Sequence, residues 1–439
     1  MGKKIFFIGI GGVNMSALAL MSKDLGYLVS GSDKTYNEYI FKLEQNGIDV
    51  FIGHDKNNVK KVDVVVYSDA INKENEELKQ ALKMNISTYS RGEFLDFISN
   101  FFTFKIGISG THGKTTTTSL ISNVIVESDI NCSCFIGGED LRLSNYYYGG
   151  KDVLISEICE YKRNVELFKS DIAVCLNIDA DHLECYNGLE DLRNSFYKFL
   201  DKAKFKVVNV DDERLKKYSS KNTIGISLKN QSAEYYAKIL KIDDNYTYFS
   251  VFKNGKHAFD SQIKGFCLHN IYNALSCVAI CEILKLKKET INKTFLNYKG
   301  VKRRMEFIGK KEGKSYYADY AHHPTEIEST LKSFKKVLSK DFLVVFQPHT
   351  FSRTKLLFNK FLRVLSQVDN LIIYKTFPAR ETEKDGMSGY DLSLALKCSY
   401  CVDSKKISDE INRLNKKYVL FLGAGDIYDI AKYLVKKNF

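Results

Sequence analysis

The stretch Phe104-Lys-Ile-Gly-Ile-Ser109-Gly110-Thr111-His112-Gly113-Lys114-Thr115-Thr116-Thr117-Thr118 decides how the chain is read. Residues 104–109 form an apolar run of strand length, and the pattern that follows predicts a helix over Lys114–Glu127. Between them lie two glycines, which accept backbone conformations that a side chain would forbid. A strand that ends in such a turn and passes straight into a helix aims several backbone N–H groups at one point, which suits a phosphate. Lys114 adds a cation for terminal phosphates, and the Thr115 hydroxyl is a hard ligand suited to Mg²⁺. Gly110, Thr111, His112, Gly113, Lys114, Thr115 and Thr116 are therefore the candidate phosphate-binding residues. The strict P-loop pattern needs a glycine five positions before Gly113; Ile108 stands there, so this is a shorter variant of the loop.

Downstream, strand-like runs recur at Val153–Ser156, Asp171–Ile178 and Lys206–Asn209. Ligands of open α/β sheets collect outside the carboxyl ends of the strands. Glu157 ends the first of these runs and offers a carboxylate to a nucleotide-bound Mg²⁺. His182 lies just beyond the second, after Asn177-Ile-Asp179-Ala-Asp181. Residues 235–262 alternate apolar and polar, with a hairpin signal at Lys253-Asn-Gly-Lys256. A helix is expected from about Asn270 to Leu286. Asn270 suits an N-cap; spaced at i and i+3, Asn270 and Asn273 equally suit two contacts to one base.

Upstream, strands are expected at Lys4–Ile10, Leu28–Ser32, Val62–Tyr67 and Ile86–Tyr89, with helices over 13–25, 36–46 and 74–84. This alternation argues a parallel sheet with crossover helices. The apolar run after Lys3-Lys4 imitates a secretion signal, but glycines interrupt it and its pattern flows into a second strand. Gly9-Ile-Gly11-Gly12-Val-Asn14 occupies the place of a dinucleotide fingerprint with Asn14 where the third glycine belongs. Gly9, Gly11 and Gly12 suit a diphosphate, and Asp33, ending the second strand, suits a ribose; the nucleotide itself stays open. A third alternating unit begins near Met305, with strands at 315–318, 342–346, 370–374 and 418–422. The chain is thus expected to divide at about 1–104, 105–300 and 301–439.

Charge is unevenly spread over those segments. The net +12 of the 439 residues resolves into −1, +3 and +10. Only 11 of the 65 basic residues are Arg, so the last-third excess is mostly lysine. A solvated lysine-rich surface is the default reading of that excess; it suits the capture of anionic substrates better than base-specific nucleic-acid readout. Ten cysteines lie mainly in apolar runs, which points to free thiols in a reducing compartment, the cytoplasm. Cys398-Ser-Tyr-Cys401 has the spacing of half a zinc site, but no second pair follows it. No run reaches the length of a membrane span, so no membrane insertion is expected.

Taken in order, the motifs resemble the Mur ligase family over nearly the whole length. They are Gly9-Ile-Gly-Gly12 with Ser30-Gly-Ser-Asp33, Gly110-Thr-His-Gly-Lys-Thr115, Glu157, Asn177-Ile-Asp-Ala-Asp-His182, His269-Asn-Ile-Tyr-Asn273 and Gly300-Val-Lys-Arg-Arg304. Asp319-Tyr-Ala-His322-His323-Pro324, Gln347-Pro-His349 with Ser352-Arg353-Thr354, and Gly423-Ala-Gly-Asp426 complete the set. The double histidine and the first glycine turn are similar to those of the alanine-adding branch. The resemblance implies three α/β domains: an N-terminal Rossmann-like parallel sheet for a UDP-sugar, a central P-loop-type ATPase domain, and a Rossmann-like C-terminal domain that closes over both.

It further implies an ATP- and Mg²⁺-dependent ligase that joins L-alanine to the carboxylate of UDP-N-acetylmuramate through an acyl phosphate. Lys114 would cradle ATP phosphates with the loop amides. Thr115 and Glu157 would ligate Mg²⁺, with His182 as a second metal or acyl-phosphate contact. Asn270 and Asn273 would touch adenine, Arg304 and Asp319 would reach ATP, and His349 and Arg353 would line the amino-acid site. Of His322 and His323, at most one is expected to face it. The UDP-sugar would occupy Gly9, Gly11, Gly12 and Asp33. A monomer or homodimer without nucleic acid is expected. After Glu157 the chain reads Ile-Cys-Glu160-Tyr161, where many members carry an acidic cluster with Asp and Ser. The rival readings are a peptide-recycling ligase of the same family, a nicotinamide-dependent oxidoreductase and a nucleic-acid-binding ATPase module.

Overall fold

A computed structural model describes residues 2–243, 246–265, 268–338, 341–379 and 381–436. The first sheet is wholly parallel: β1 (Lys4–Ile8), β2 (Leu28–Asp33), β3 (Asp49–Ile52), β4 (Val64–Tyr67) and β5 (Ser87–Ser90), in the order β3-β2-β1-β4-β5. Ile5, Phe6, Phe7 and Ile8 of the central strand are all buried, as a strand covered on both faces requires. The order reverses at β1, so the chain leaves β1 and β4 in opposite directions and opens a crevice at their carboxyl ends.

The second sheet holds ten strands: β6 (Phe104–Ser109), β7 (Cys132–Asp140), β8 (Ser144–Tyr148), β9 (Val153–Glu157), β10 (Ile172–Cys175), β11 (Phe205–Asn209), β12 (Thr223–Ser227), β13 (Tyr235–Ile242), β14 (Tyr246–Lys253) and β15 (Lys256–Lys264). Their order is β15-β14-β13-β12-β11-β10-β6-β9-β7-β8. β6 lies between β10 and β9, parallel to both, which makes its end the switch point of this sheet. The hairpin signal is realised: Asn254 and Gly255, at φ 48° and 74°, turn β14 into β15. The antiparallel pair β7–β8 was not legible as strands. The expected strand over 171–178 is cut to β10. Leu176 still donates to Ser109, but Asn177 turns away to bind the loop after β6, so its ladder positions are spent there.

The third sheet comprises β16 (Glu306–Lys311), β17 (Lys314–Asp319), β18 (Phe342–Phe346), β19 (Leu371–Tyr374), β20 (Ser399–Cys401) and β21 (Tyr418–Leu422), in the order β16-β17-β21-β18-β19-β20. All pairs are parallel except the edge pair β16–β17. The chain divides into two compact units. One runs to Leu240 and takes in Tyr248–Ile263 and Asn270–Val301; the other holds the third sheet with the stretches 241–247 and 264–269. The nine described cysteines are free, Cys398 and Cys401 among them, and Cys267 lies outside the described residues. Among the described residues no helix is long and apolar enough to cross a membrane.

Within the first unit the two sheets share a core. The helix Val13–Asp24 buries Met15, Leu18 and Ala19 in one cluster with Phe135 and Tyr146 from β7 and β8. Asn145, 1% exposed, pins the first turn of that helix by donating to the Val13 carbonyl (2.7 Å) and Ser16 Oγ (2.9 Å). Asn145→Ala leaves a buried hydroxyl and a carbonyl without that donor. It is expected to cost about 1–3 kcal/mol, read as a lower urea midpoint of the first unit; an unchanged midpoint contradicts the pinning.

Candidate active site

The turn after β6 is held from the side by the turn after β10. Asn177 clamps the His112 peptide at both ends: Oδ1 accepts from the backbone N–H (2.8 Å), and Nδ2 donates to the carbonyl (2.9 Å). The Thr111 N–H donates to the Asn177 carbonyl (3.0 Å), and Thr111 Oγ1 accepts from the Asp179 N–H (2.9 Å). His112 Nε2 sits 3.2 Å from Asp179 Oδ2. Gly110 and Gly113, at φ 134° and 86°, supply the reversals. The helix Lys114–Val126 then begins, and its first internal bond is Thr117 N–H to Gly113. The amides of Lys114, Thr115 and Thr116 therefore have no partner inside the helix and face the turn, where an anion is favoured.

Lys114 folds back over this turn. Its ammonium donates to the carbonyls of Gly110 and Thr111 and to both oxygens of Glu160, at 3.1 and 2.9 Å. Burial pulls the Lys114 pKa down, but the opposing charges of Glu160, Cys159 and Glu157 outweigh it and hold the pKa well above the usual lysine value. Beside it, Glu157 Oε2 is buried and finds no hydrogen-bond partner among the described residues. A Cβ at Gly137 would overlap this carboxylate, and one at Gly138 would press on the Thr115 methyl at 2.8 Å, so β7 carries glycines where the carboxylate and the threonine need room. A buried carboxylate oxygen without a donor among the described residues, next to a buried threonine at this turn, is a donor set that fits Mg²⁺.

His182 takes a left-handed backbone, φ 53°, and its ring packs on Tyr161 at 5.1 Å. Asn273 lies under the turn: its Oδ1 is 3.3 Å from where a Gly113 Cβ would stand, and its buried Nδ2 has no partner among the described residues. Asn270 is half-buried and sits one residue inside the helix His269–Ile283, so it is not the cap.

In the first sheet, the Gly11 N–H donates to Asp33 Oδ2 (2.8 Å), and Asn37 donates to the Gly11 carbonyl (3.1 Å). Gly9 turns at φ 80°. Asp33 thus shapes the glycine turn with one oxygen. Asn14, in place of the third fingerprint glycine, leaves a buried Oδ1 without a partner among the described residues. At the ends of β2 and β3, Ser32 and His54 converge on the fully buried carboxylate of Glu77, each 2.6 Å from Oε2.

The second unit gathers its own set. Asp319, ending β17, accepts from Met305 (2.7 Å) and Ala321 (2.9 Å). Burial raises its carboxyl pKa against the pull of Arg304, whose guanidinium lies over Tyr320 at 4.9 Å. His349, after β18, stacks on Phe377 at 5.5 Å and meets the edge of His322 at 5.7 Å. His322 is the member of the pair that meets His349, while His323 is 2% exposed. Burial, with His322 and Arg353 nearby, pushes the His349 pKa down to about 4.

Residues 4–103, 108–281 and 303–425 match, in turn, the Mur ligase family catalytic domain, the Mur ligase middle domain and the Mur ligase glutamate ligase domain. The chain belongs to the Mur ligase family. It is similar to the UDP-N-acetylmuramate–L-alanine ligase of Clostridium acetobutylicum, at 38% identity over 99% of this chain and 98% of the relative. It is similar also to the enzyme of that name from Caldicellulosiruptor bescii, at 39% over 99% and 98%. Among solved structures, the UDP-N-acetylmuramate–alanine ligase of Thermotoga maritima matches with TM-score 0.84 at 26% identity over 99% and 98% of the two chains. A murein peptide ligase from Psychrobacter arcticus shares the fold, with TM-score 0.73 at 22% identity over 99% and 98%.

For a Mur ligase of this sequence, the candidate residues other than Asn270 fall into three groups. Gly110–Thr116, Glu157 and Asn273 converge on the β6 turn, with His182 joined to them through Tyr161. Gly9, Gly11, Gly12 and Asp33 form the first-sheet turn. Arg304 and Asp319 sit together in the second unit, as do His349 and Arg353. Sequence reasoning assigned no role to Glu160, Asn177 or Asp179. Glu160 carries a weak signal, a second carboxylate three residues after a strand-end glutamate; Asn177 and Asp179 stand in the Asn177–His182 motif, but the clamp itself depends on two distant turns meeting.

The depressed His349 pKa gives a signed expectation. The unfolded imidazole takes up its proton near the ordinary 6.5 and the folded one near 4. Stability from this site is therefore intact above pH 6.5 and falls as pH drops from 6.5 towards 4, by about 3 kcal/mol at the end of the range. His349→Gln is expected to flatten that slope in denaturant titrations across this window; equal slopes in both proteins contradict the assignment.

Proposed function

We propose that this Mur ligase joins L-alanine to the carboxylate of UDP-N-acetylmuramate, with ATP going to ADP and phosphate, in the cytoplasmic synthesis of peptidoglycan precursors. The observation that carries the reading is collinear similarity over 99% of this chain to enzymes of that name, at 38% identity for the Clostridium acetobutylicum relative; the Lys114 ammonium beside the helix-start amides supports it. The recycling alternative has weaker support: the murein peptide ligase is 22% identical, against 26% for the alanine ligase structure, and its TM-score is lower.

In the proposed reaction the muramate carboxylate attacks the γ-phosphorus of ATP. A carboxylate-oxygen-to-phosphorus bond forms, and the bond to ADP breaks. The neutral amine of L-alanine then attacks the acyl carbon, phosphate leaves with one former carboxylate oxygen, and the nitrogen gives up one proton to solvent as the amide forms. The helix amides of Lys114, Thr115 and Thr116 and the Lys114 ammonium bind the phosphates, so that charge moving from γ-oxygens to the leaving diphosphate stays compensated. Thr115, Glu157 and His182 would hold Mg²⁺, which supplies further neutralisation of the phosphate charge when bound. Asn270 and Asn273 are assigned to adenine, and Arg304 and Asp319 to ATP. The guanidinium of Arg353 suits the alanine carboxylate. His349, neutral at physiological pH, is an uncharged neighbour that does not repel the amino group. Gly9, Gly11, Gly12 and Asp33 are assigned to the UDP-sugar.

Phosphate release from UDP-N-acetylmuramate and ATP is expected with L-alanine and not with the tripeptide accepted by recycling enzymes; the reverse preference overturns the reading. Lys114→Ala is expected to lower this activity at least a thousandfold, and near-normal turnover would remove the lysine from the mechanism. Glu157→Ala is expected to raise the Mg²⁺ concentration for half-maximal activity at least tenfold; an unchanged titration would exclude it as a ligand.

A further inference from the structure

One ionic contact at the phosphate turn has no part in that mechanism. Lys114 Nζ gives its hydrogens to two loop carbonyls and to the Glu160 carboxylate. An ammonium has three hydrogens, so none is left for a phosphoryl oxygen. One acceptor must be released when ATP binds. A loop carbonyl is neutral and its release strands no charge. Glu160 is 1% exposed. Without Lys114 it would be a buried, unpaired carboxylate, one of the costliest arrangements a protein interior can hold. The carbonyl is therefore the acceptor that yields.

The chain goes to some length to put Glu160 there. Lys162 and Arg163, just after it, both take left-handed backbone at φ 50° and 61°, uncommon for residues with a Cβ. The Tyr186 hydroxyl donates to the Glu160 carbonyl, and the Tyr161 ring is seated on His182. The carboxylate is fixed by its own backbone and not merely drawn to the lysine.

We propose that Glu160 is a positioning residue for phosphoryl transfer: it keeps its grip on Lys114 from the buried side throughout turnover and aims the ammonium so that a γ-phosphoryl oxygen replaces a loop carbonyl. This rests on the reading of the chain as an ATP-dependent ligase. Glu160 touches no substrate atom and acts through Lys114. It offsets part of the lysine's charge while fixing its direction, so its loss appears in kcat and little in the KM for ATP.

The test is steady-state phosphate release with ATP varied, for the wild type, Glu160→Gln and Glu160→Asp, alongside ADP binding to each. The expected result is a tenfold or greater fall in kcat for Glu160→Gln, with the KM for ATP and the Kd for ADP within threefold of wild type. Glu160→Asp, which keeps the charge, should recover part of the loss. A lower KM for ATP or tighter ADP binding with kcat preserved would overturn the proposal, because Glu160 would then be an anion that phosphate displaces. Unchanged kinetics would overturn it as well. If Glu160→Gln does not fold, Glu160→Asp decides alone, a fall in kcat at constant KM supporting the proposal and wild-type kinetics ending it. A wild type that releases no phosphate fails the ligase reading itself.

Discussion

The grip of Asn177 on the His112 peptide is the interaction on which the turn after β6 depends. A turn that binds an anion through its backbone cannot spend the same amides on its own support. Here the labour is divided. The amides of Thr111 and His112 go to Asn177, from the neighbouring strand end, and those of Lys114, Thr115 and Thr116 stay available at the helix start. The switch point at β6 makes this possible, because it brings the turns after β6 and β10 side by side. The same meeting of turns delivers Asp179 to His112 and carries His182 onto Tyr161.

Around that turn, acidic groups do two different jobs. Glu157 keeps a buried oxygen without a donor among the described residues, an arrangement that makes sense if a cation completes it. Glu160 is satisfied already, through Lys114. Two carboxylates three residues apart thus differ in what they still require, and only the packing around each separates them. In the second unit burial sets the chemistry in another way, by keeping His349 uncharged beside Arg353.

Much of this was legible in the sequence. The glycine turns at 9–12 and 110–113 sit at strand–helix junctions as read, because glycine positions and apolar runs are local signals. The hairpin at Asn254-Gly255 was legible for the same reason. The strand over 171–178 was overextended: Leu176-Asn177-Ile178 is apolar enough to continue, but its backbone is claimed by a turn more than sixty residues earlier. The pair β7–β8 was missed, and Glu160 had no role, because burial and long-range contact decide both. Asn270 reads as a cap locally, yet the helix starts one residue before it.

The central claim is that the muramate carboxylate becomes an acyl phosphate at this turn. The most direct measurement starts from UDP-N-acetylmuramate carrying ¹⁸O in its carboxylate, with ATP, Mg²⁺ and L-alanine, and analyses the released phosphate by mass. The account predicts one labelled oxygen in each phosphate released, since the carboxylate oxygen that attacked phosphorus leaves with it. Unlabelled phosphate, with amide product formed and the carboxylate label elsewhere, would contradict it.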